Sequence, residues 1–308
     1  MVQPTPFQRL LQESVQLANR DPNAAFARLD ELYGKSLTEE DVLSLGSFAV
    51  HLGATGLGRW DETAAFQQRL LSHPALGSGS AGAANISRSL WRGLAVVLRC
   101  AGKHAEADSA EQNGVGNDSD RCRLAVMIAQ TLAVRGRAND AITHLRQAAL
   151  LARDLDPKDE VVIQVATVAG NLQRLAEPQV KLAQELLLAA AAASSAALTH
   201  AGDWRVAHRA WFQHGQAYLL AAKPAQALRC VQAMMELEDR HEAGPGERFA
   251  TANLACRAQA IRGQLKIAAG ALEACQDFAK RIEHVEQSRQ IAASLKELEA
   301  FVAAAQSA

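Results

Sequence analysis

Between residues 41 and 285 one local pattern recurs six times: an amphipathic stretch, a tight turn, and a second stretch that opens on a small residue. The turns read Gly58-Arg59-Trp60, Gly102-Lys103-His104, Gly136-Arg137-Ala138 and Gly263-Gln264-Leu265, with Ala176-Glu177-Pro178 and Ala222-Lys223-Pro224 in the intervening places. Glycine suits the end of a helix because it enters the left-handed region without Cβ strain, and proline suits the start of the next, where its missing N–H costs nothing. Gly102 and Gly136 are 34 residues apart, and the other steps stretch to roughly 40–45, a period typical of helix-pair arrays. One such pair cannot bury its own apolar face, so the pairs must stack on one another.

Composition agrees. Hydrophobic residues make up 49% of the 308, while aromatics make up only 5%. Alanine and leucine are abundant throughout, which favours helices whose backbones approach closely. Residues 161–168 are apolar and partly β-branched but continue into residues 170–175 at helical spacing, so a strand is not expected there. The stretch 186–198 is the most apolar, but it is short for a membrane span and is broken by Ser194 and Ser195, so a packed helix is expected. A formal net charge of −1 makes general nucleic-acid binding improbable. Cys100, Cys122, Cys230, Cys256 and Cys275 are scattered, never form a CxxC, and read as buried thiols in a reducing compartment. The start of the chain has no basic region followed by an apolar run, so a cytoplasmic protein without a signal peptide is expected.

Trp211, Gly215, Tyr218 and Ala227 carry the most complete copy of the pattern. A large aromatic is followed four residues on by a small residue, three later by another aromatic, and then by an alanine that opens the second helix. Trp91, Leu94, Ala95, Leu98, Gly102 and Ala107 repeat it, as do Ile128, Ala129, Leu132, Gly136, Ala141 and Leu145. On these residues the chain resembles a tetratricopeptide-repeat protein over residues 41–285. The resemblance implies an all-α fold, a right-handed superhelical solenoid of about six helix pairs. Residues 1–40 would form an N-terminal cap, 41–286 the array and 287–308 a C-terminal capping helix. The departures are Thr63 where alanine is expected, Gly170 without a glycine turn after it, and a short, polar second helix around residues 105–112, expected to be the least stable piece.

Local signals mark the boundaries. Thr38-Glu39-Glu40-Asp41 resembles a capping box, Pro74 and Pro157 act as stops, and Gly244-Pro245-Gly246 separates the last two pairs. Residues 73–85, rich in Gly, Ser and Ala, are the expected mobile loop. Ile291, Leu295, Leu298 and Val302 form one apolar stripe with charged neighbours, as a capping helix should.

The sequence contains no glycine-rich phosphate loop and no HExxH, so neither enzyme chemistry nor a cofactor is expected. His200, His208 and His214 form the tightest histidine set, but His208 and His214 are six residues apart and diverge on a helix, so no metal site is expected. In a helix-pair solenoid the first helices line the inner face. Register from the turns places Phe48, Leu52, Arg92, Val96, Arg99, Arg123, Val126, Gln130, Gln164, Thr167, Asn171, Arg174, Arg209, Phe212, Gln213, Gln216, Asn253 and Arg257 there. None of these is acidic. Arginine forks match carboxylates and carboxamides bond both groups of a peptide backbone, which points to another protein or peptide with acidic groups or a free C-terminus. The lysine-rich tail clamp of some tetratricopeptide proteins is only half matched by Thr167 with Asn171 and by Asn253 with Arg257. A scaffold or adaptor is the leading expectation. A regulatory module that senses a small molecule or peptide is the second, and a single-strand RNA binder the third.

Overall fold

A computed structural model of the protein describes residues 4–175 and 181–307, and all regular structure among them is helical. The turn expected at residues 176–178 lies outside the described residues. Two compact units are present, Met1–Leu151 and Ala152–Ala308.

The first unit opens with α1 (Pro6–Ala18), α2 (Pro22–Ala27) and α3 (Leu29–Tyr33), followed by α4 (Glu39–Ala49), which runs on into a π-helix at Val50–Leu57. Then come α5 (Trp60–Leu71), a 3₁₀ turn at Pro74–Ser78, α6 (Ala81–Cys100), α7 (His104–Gly114), α8 (Asp118–Val134) and α9 (Ala138–Ala152). The expected capping box forms: Thr38 Oγ1 accepts from Asp41 N at 3.2 Å, and Asp41 returns the bond to Thr38 N at 3.0 Å. Residues 73–85 are more ordered in pattern than their composition suggests, because Pro74 starts the 3₁₀ turn and Ser80 caps α6 through Ala83 N at 2.9 Å. The core of this unit joins Phe7, Phe26, Leu29 and Leu32 from the first helices to Leu45, Phe48, Leu70 and Leu90.

The second unit contains α10 (Glu160–Leu175), α11 (Lys181–His200), α12 (Trp204–Leu220), α13 (Pro224–His241), α14 (Pro245–Ile261), α15 (Leu265–Lys280) and α16 (Val285–Ser307). The alanine-rich stretch is a packed helix: Ala190, Ala191, Ala193 and Ser195 on α11 are almost wholly buried. Among the described residues no helix is long and apolar enough to cross a membrane. Leu298 and Val302 of α16 are buried against Phe249, Cys256 and Cys275, with Ile291 and Leu295 packed on the same cluster. Each fully buried aliphatic side chain of this kind contributes about 1.5–3 kcal/mol.

In both units helices pack on their sequence neighbours and also on the next but one, as α4 does on α6, α6 on α8, α12 on α14, and α14 on α16. This is compatible with a helical repeat. The turns share one geometry. Lys103 N bonds Leu98 O, Arg137 N bonds Leu132 O, Lys223 N bonds Tyr218 O and Gln264 N bonds Gln259 O, all at 2.8–2.9 Å and all spanning five residues. At the first turn Arg59 N reaches back six residues, to Gly53 O at 2.9 Å, because the π-helix adds one residue to that pair. The residue before each donor is left-handed: Gly58, Gly102, Gly136 and Gly263 have φ of 71° to 81°, and Ala222 takes φ 54° in the one described turn without glycine. That conformation costs an L-residue about 1–2 kcal/mol. Ala222→Gly is therefore expected to raise stability by about 0.5 kcal/mol after the added freedom of the unfolded chain is subtracted, and Gly102→Ala to lower it by about 1 kcal/mol. Urea midpoints of the two variants should move in opposite directions.

The cysteines are free and buried. Burial pushes the thiols of Cys100, Cys230 and Cys275 up to about 12 and that of Cys256 up to about 11, so they stay protonated and pack as small apolar groups.

Candidate functional site

In the first unit α4, the π-helix, α6 and α8 line a cleft of about 350 Å³. Three residues placed on the inner face by sequence, Arg92, Arg123 and Gln130, come together here. The register of the first helix differs from expectation. Phe48 and Leu52 are buried in the core, and Leu43, Ser47, Val50 and His51 face the cleft instead. A uniform period of 3.6 misplaces this stretch by about one position, and the π-helix shifts everything after Val50. Val96 and Val126 are likewise fully buried. The buried hydroxyls of Thr55 and Thr131, 3.0 Å apart, pin the π-helix to α8.

Gln67 of α5 lies at the floor of the cleft, and sequence reasoning missed it. Its signal was legible: the amide interrupts the buried stripe of Ala64 and Leu70 at helical spacing. Arg92 lines the same cleft and is buried. Its guanidinium donates to Asp120 Oδ1 at 2.5 Å, to the Gly114 carbonyl at 3.1 Å and to Ser89 Oγ at 2.8 Å. Burial pushes this guanidinium below its usual range; Asp120 opposes that, while Arg123 and Arg88 reinforce it. Among the described residues lining the cleft none is acidic.

Arg99 lines a different and larger cavity, of about 910 Å³, among α6, α7, α8 and α9. There its charge is matched within the unit: it donates to Asp108 Oδ1 at 2.6 Å and to Glu111, which fastens the short helix α7 to α6. Helix α7 buries little else, only Ala107, Ala110 and Gly114.

In the second unit Arg209, Gln213 and Gln216 lie exposed on one face of α12, and Arg209 has no ion-pair partner among the described residues. Phe212 turns partly inward and packs with Met234 and Leu254. Gln164 and Asn171 of α10 are half-buried, Thr167 is exposed, and the side chain of Arg174 lies outside the described residues. Asn253 and Arg257 are engaged by the last helix. Asn253 Nδ2 donates to Ser294 Oγ at 3.1 Å, Arg257 Nε donates to Asn253 Oδ1 at 3.0 Å, and the guanidinium lies over Phe301. Helix α16 packs on α14, a footprint that the capping role does not reveal in the sequence.

The histidines serve packing. His200 Nε2 lies 2.8 Å from Leu155 O. His208 joins a buried cluster with Glu238 and Thr251. His214 is stacked between Trp211 and Tyr218, at 5.6 and 4.7 Å, with Nδ1 3.0 Å from Ser195 Oγ. Among the described residues no group of three or more His, Cys, Asp or Glu could hold a metal ion. Burial lowers His214 from 6.5 to about 4. The folded state then binds fewer protons than the unfolded one below pH 6.5, so its contribution is complete above that value and is lost as pH falls toward 4. The loss is about 2 kcal/mol after discount for residual solvent. His214→Phe should flatten the fall of the urea midpoint between pH 6.5 and 4.

Comparison with protein-family models gives no match, and comparison with curated protein sequences gives none.

Proposed function

We propose that the chain is a non-catalytic adaptor of the tetratricopeptide type, about six helix pairs wound as a superhelical solenoid between two caps, which binds an acidic segment of another protein in extended or helical form. The observation that carries this reading is the face of α12. Arg209, Gln213 and Gln216 are exposed together, and nothing acidic among the described residues neutralises the arginine. A guanidinium flanked by two carboxamides offers one fork for a carboxylate and two groups able to bond a peptide backbone. The repeated turn geometry supports the family, the buried thiols fit a reducing compartment such as the cytoplasm, and the net charge of −1 weighs against RNA.

The test is selection from a displayed peptide library, followed by affinity measurement on Arg209→Glu with Gln213→Glu. Both positions are exposed, so stability should stay within about 0.5 kcal/mol of the parent. The selected peptides should be acidic and should bind the double variant at least about tenfold more weakly. Peptides that bind both proteins equally would remove this face from consideration. Arg257 is a poorer choice, because a glutamate there would meet Glu297, 4.0 Å from the present guanidinium.

A second reading, a module that senses a small ligand and acts on a separate partner, is favoured by the acid-free cleft of the first unit.

A further inference from the structure

We infer that the partner segment lies extended along the length of α12, with an acidic side chain at Arg209 and, about six residues away in the segment, a large aliphatic side chain at Leu220. This rests on the reading of the α12 face given above and adds to it the conformation, the apolar anchor and the spacing.

Five exposed residues follow one line down the helix: Arg205, Arg209, Gln213, Gln216 and Leu220. At 3.6 residues per turn they fall within an arc of about 80°. The line changes character along its length. Arg205 Nε lies 3.3 Å from Glu247 Oε1, which meets its charge. Arg209 is the cation that remains, the two carboxamides follow it, and the line ends on Leu220, 58% exposed. Ile261, 43% exposed, holds the same place on α14, two residues before the left-handed residue of its turn. Helix α14 packs on α12, so two neighbouring helices each end on an exposed aliphatic side chain. A second aliphatic group laid there removes apolar surface from water on both partners.

The carboxamides decide the conformation. Neither Gln213 nor Gln216 has a hydrogen-bond partner among the described residues. A helical ligand bonds its own backbone and would offer them side chains alone. An extended one leaves its main chain open, and each carboxamide can donate to a C=O and accept from an N–H. Spacing follows from the helix. Arg209 and Leu220 are 11 residues apart, a rise of about 16 Å. Helix side chains lean toward the N-terminus, and the long stem of arginine reaches further than leucine, which widens the gap to about 20 Å at the tips. An extended chain covers that distance in about six residues. Six is even, so both side chains point to the same side of the strand, toward α12; an odd spacing would turn one of them into solvent.

The test is calorimetric titration of the full chain with the capped peptide acetyl-Glu-Ser-Thr-Ser-Thr-Ser-Leu-amide and with the same residues in reverse order, because α12 fixes the spacing and not the chain direction. One order should saturate with a Kd below about 1 mM. Removing one central residue, or replacing the peptide's leucine by alanine, should weaken binding about fivefold or more. Leu220→Ser should weaken the leucine peptide about fivefold and leave the alanine peptide unchanged, whereas Arg209→Glu should weaken both. Both positions are exposed, so the variants should melt with the parent. Loss of binding in Arg209→Glu with none in Leu220→Ser would overturn the apolar anchor and leave the acidic-segment reading standing. Equal binding of the peptide shortened by one residue would overturn the extended conformation. No saturation in either order would overturn the inference, while the library selection decides the broader reading by itself.

Discussion

Glu238→Ala is expected to destabilise the second unit by about 4 kcal/mol, a fall in melting temperature of about 10 °C. Glu238 sits on α13 with 8% of its surface exposed. Its Oε1 accepts from Thr251 Oγ1 of α14 and lies 2.9 Å from His208 Nε2 of α12. A carboxylate can only accept, so Nε2 is the protonated nitrogen of that imidazole. One oxygen therefore ties three helices together in a place where water cannot substitute for it. Truncation leaves the His208 donor buried without the carboxylate, with only Thr251 Oγ1 at 3.1 Å to accept from it, and leaves the Thr251 hydroxyl only a long bond to Glu247 O at 3.4 Å to donate. Glu238→Gln retains an accepting oxygen and should cost clearly less. If the alanine variant melted with the parent, apolar contacts such as those of Met234 and Leu254 would be holding the junction alone.

Gly215→Leu should cost about 3 kcal/mol, toward the upper end of what overpacking usually costs. Helix α12 crosses α14 here, and a Cβ built on Gly215 would overlap Leu254 Cδ2 and lie 3.0 Å from Cδ1 and 3.1 Å from Cγ. Leu254 is fully buried and belongs to the cluster with Cys230, Val231 and Met234, so it has little room to withdraw. Gly215→Ala should fall between, since helix propensity recovers about 1 kcal/mol of its loss. Urea unfolding of the three proteins gives the order directly. A leucine variant with the parental midpoint would mean that α12 and α14 can separate cheaply.

These two positions differ in how far the sequence announces them. Gly215 was legible, because a small residue four after Trp211 and three before Tyr218 marks a close helix crossing whatever the neighbour is. The turns at Gly58, Gly102, Gly136 and Gly263 were legible for the same reason: left-handed φ is a property of the local chain, and glycine is the residue that tolerates it. The helical class, the cap at Thr38 and the stripe of α16 also rest on interactions within a few residues, which sequence spacing encodes.

What the sequence by itself determined about this protein is thus its helices, their turns, and the small residues where they cross. Partnerships between distant residues were decided only by the tertiary structure. The π-helix at Val50–Leu57 looks like ordinary helix in the letters, yet its extra residue turns Leu52 into the core and His51 toward the cleft. Arg92 and Arg99 carry the same side chain seven residues apart on α6, but one is buried against Asp120 and the other is held by Asp108 and Glu111. Glu238 is buried because α12 and α14 bring His208 and Thr251 onto its carboxylate. In each case the deciding quantity is which polar groups lose water together, and that depends on the separation of helices in space, which no local spacing records.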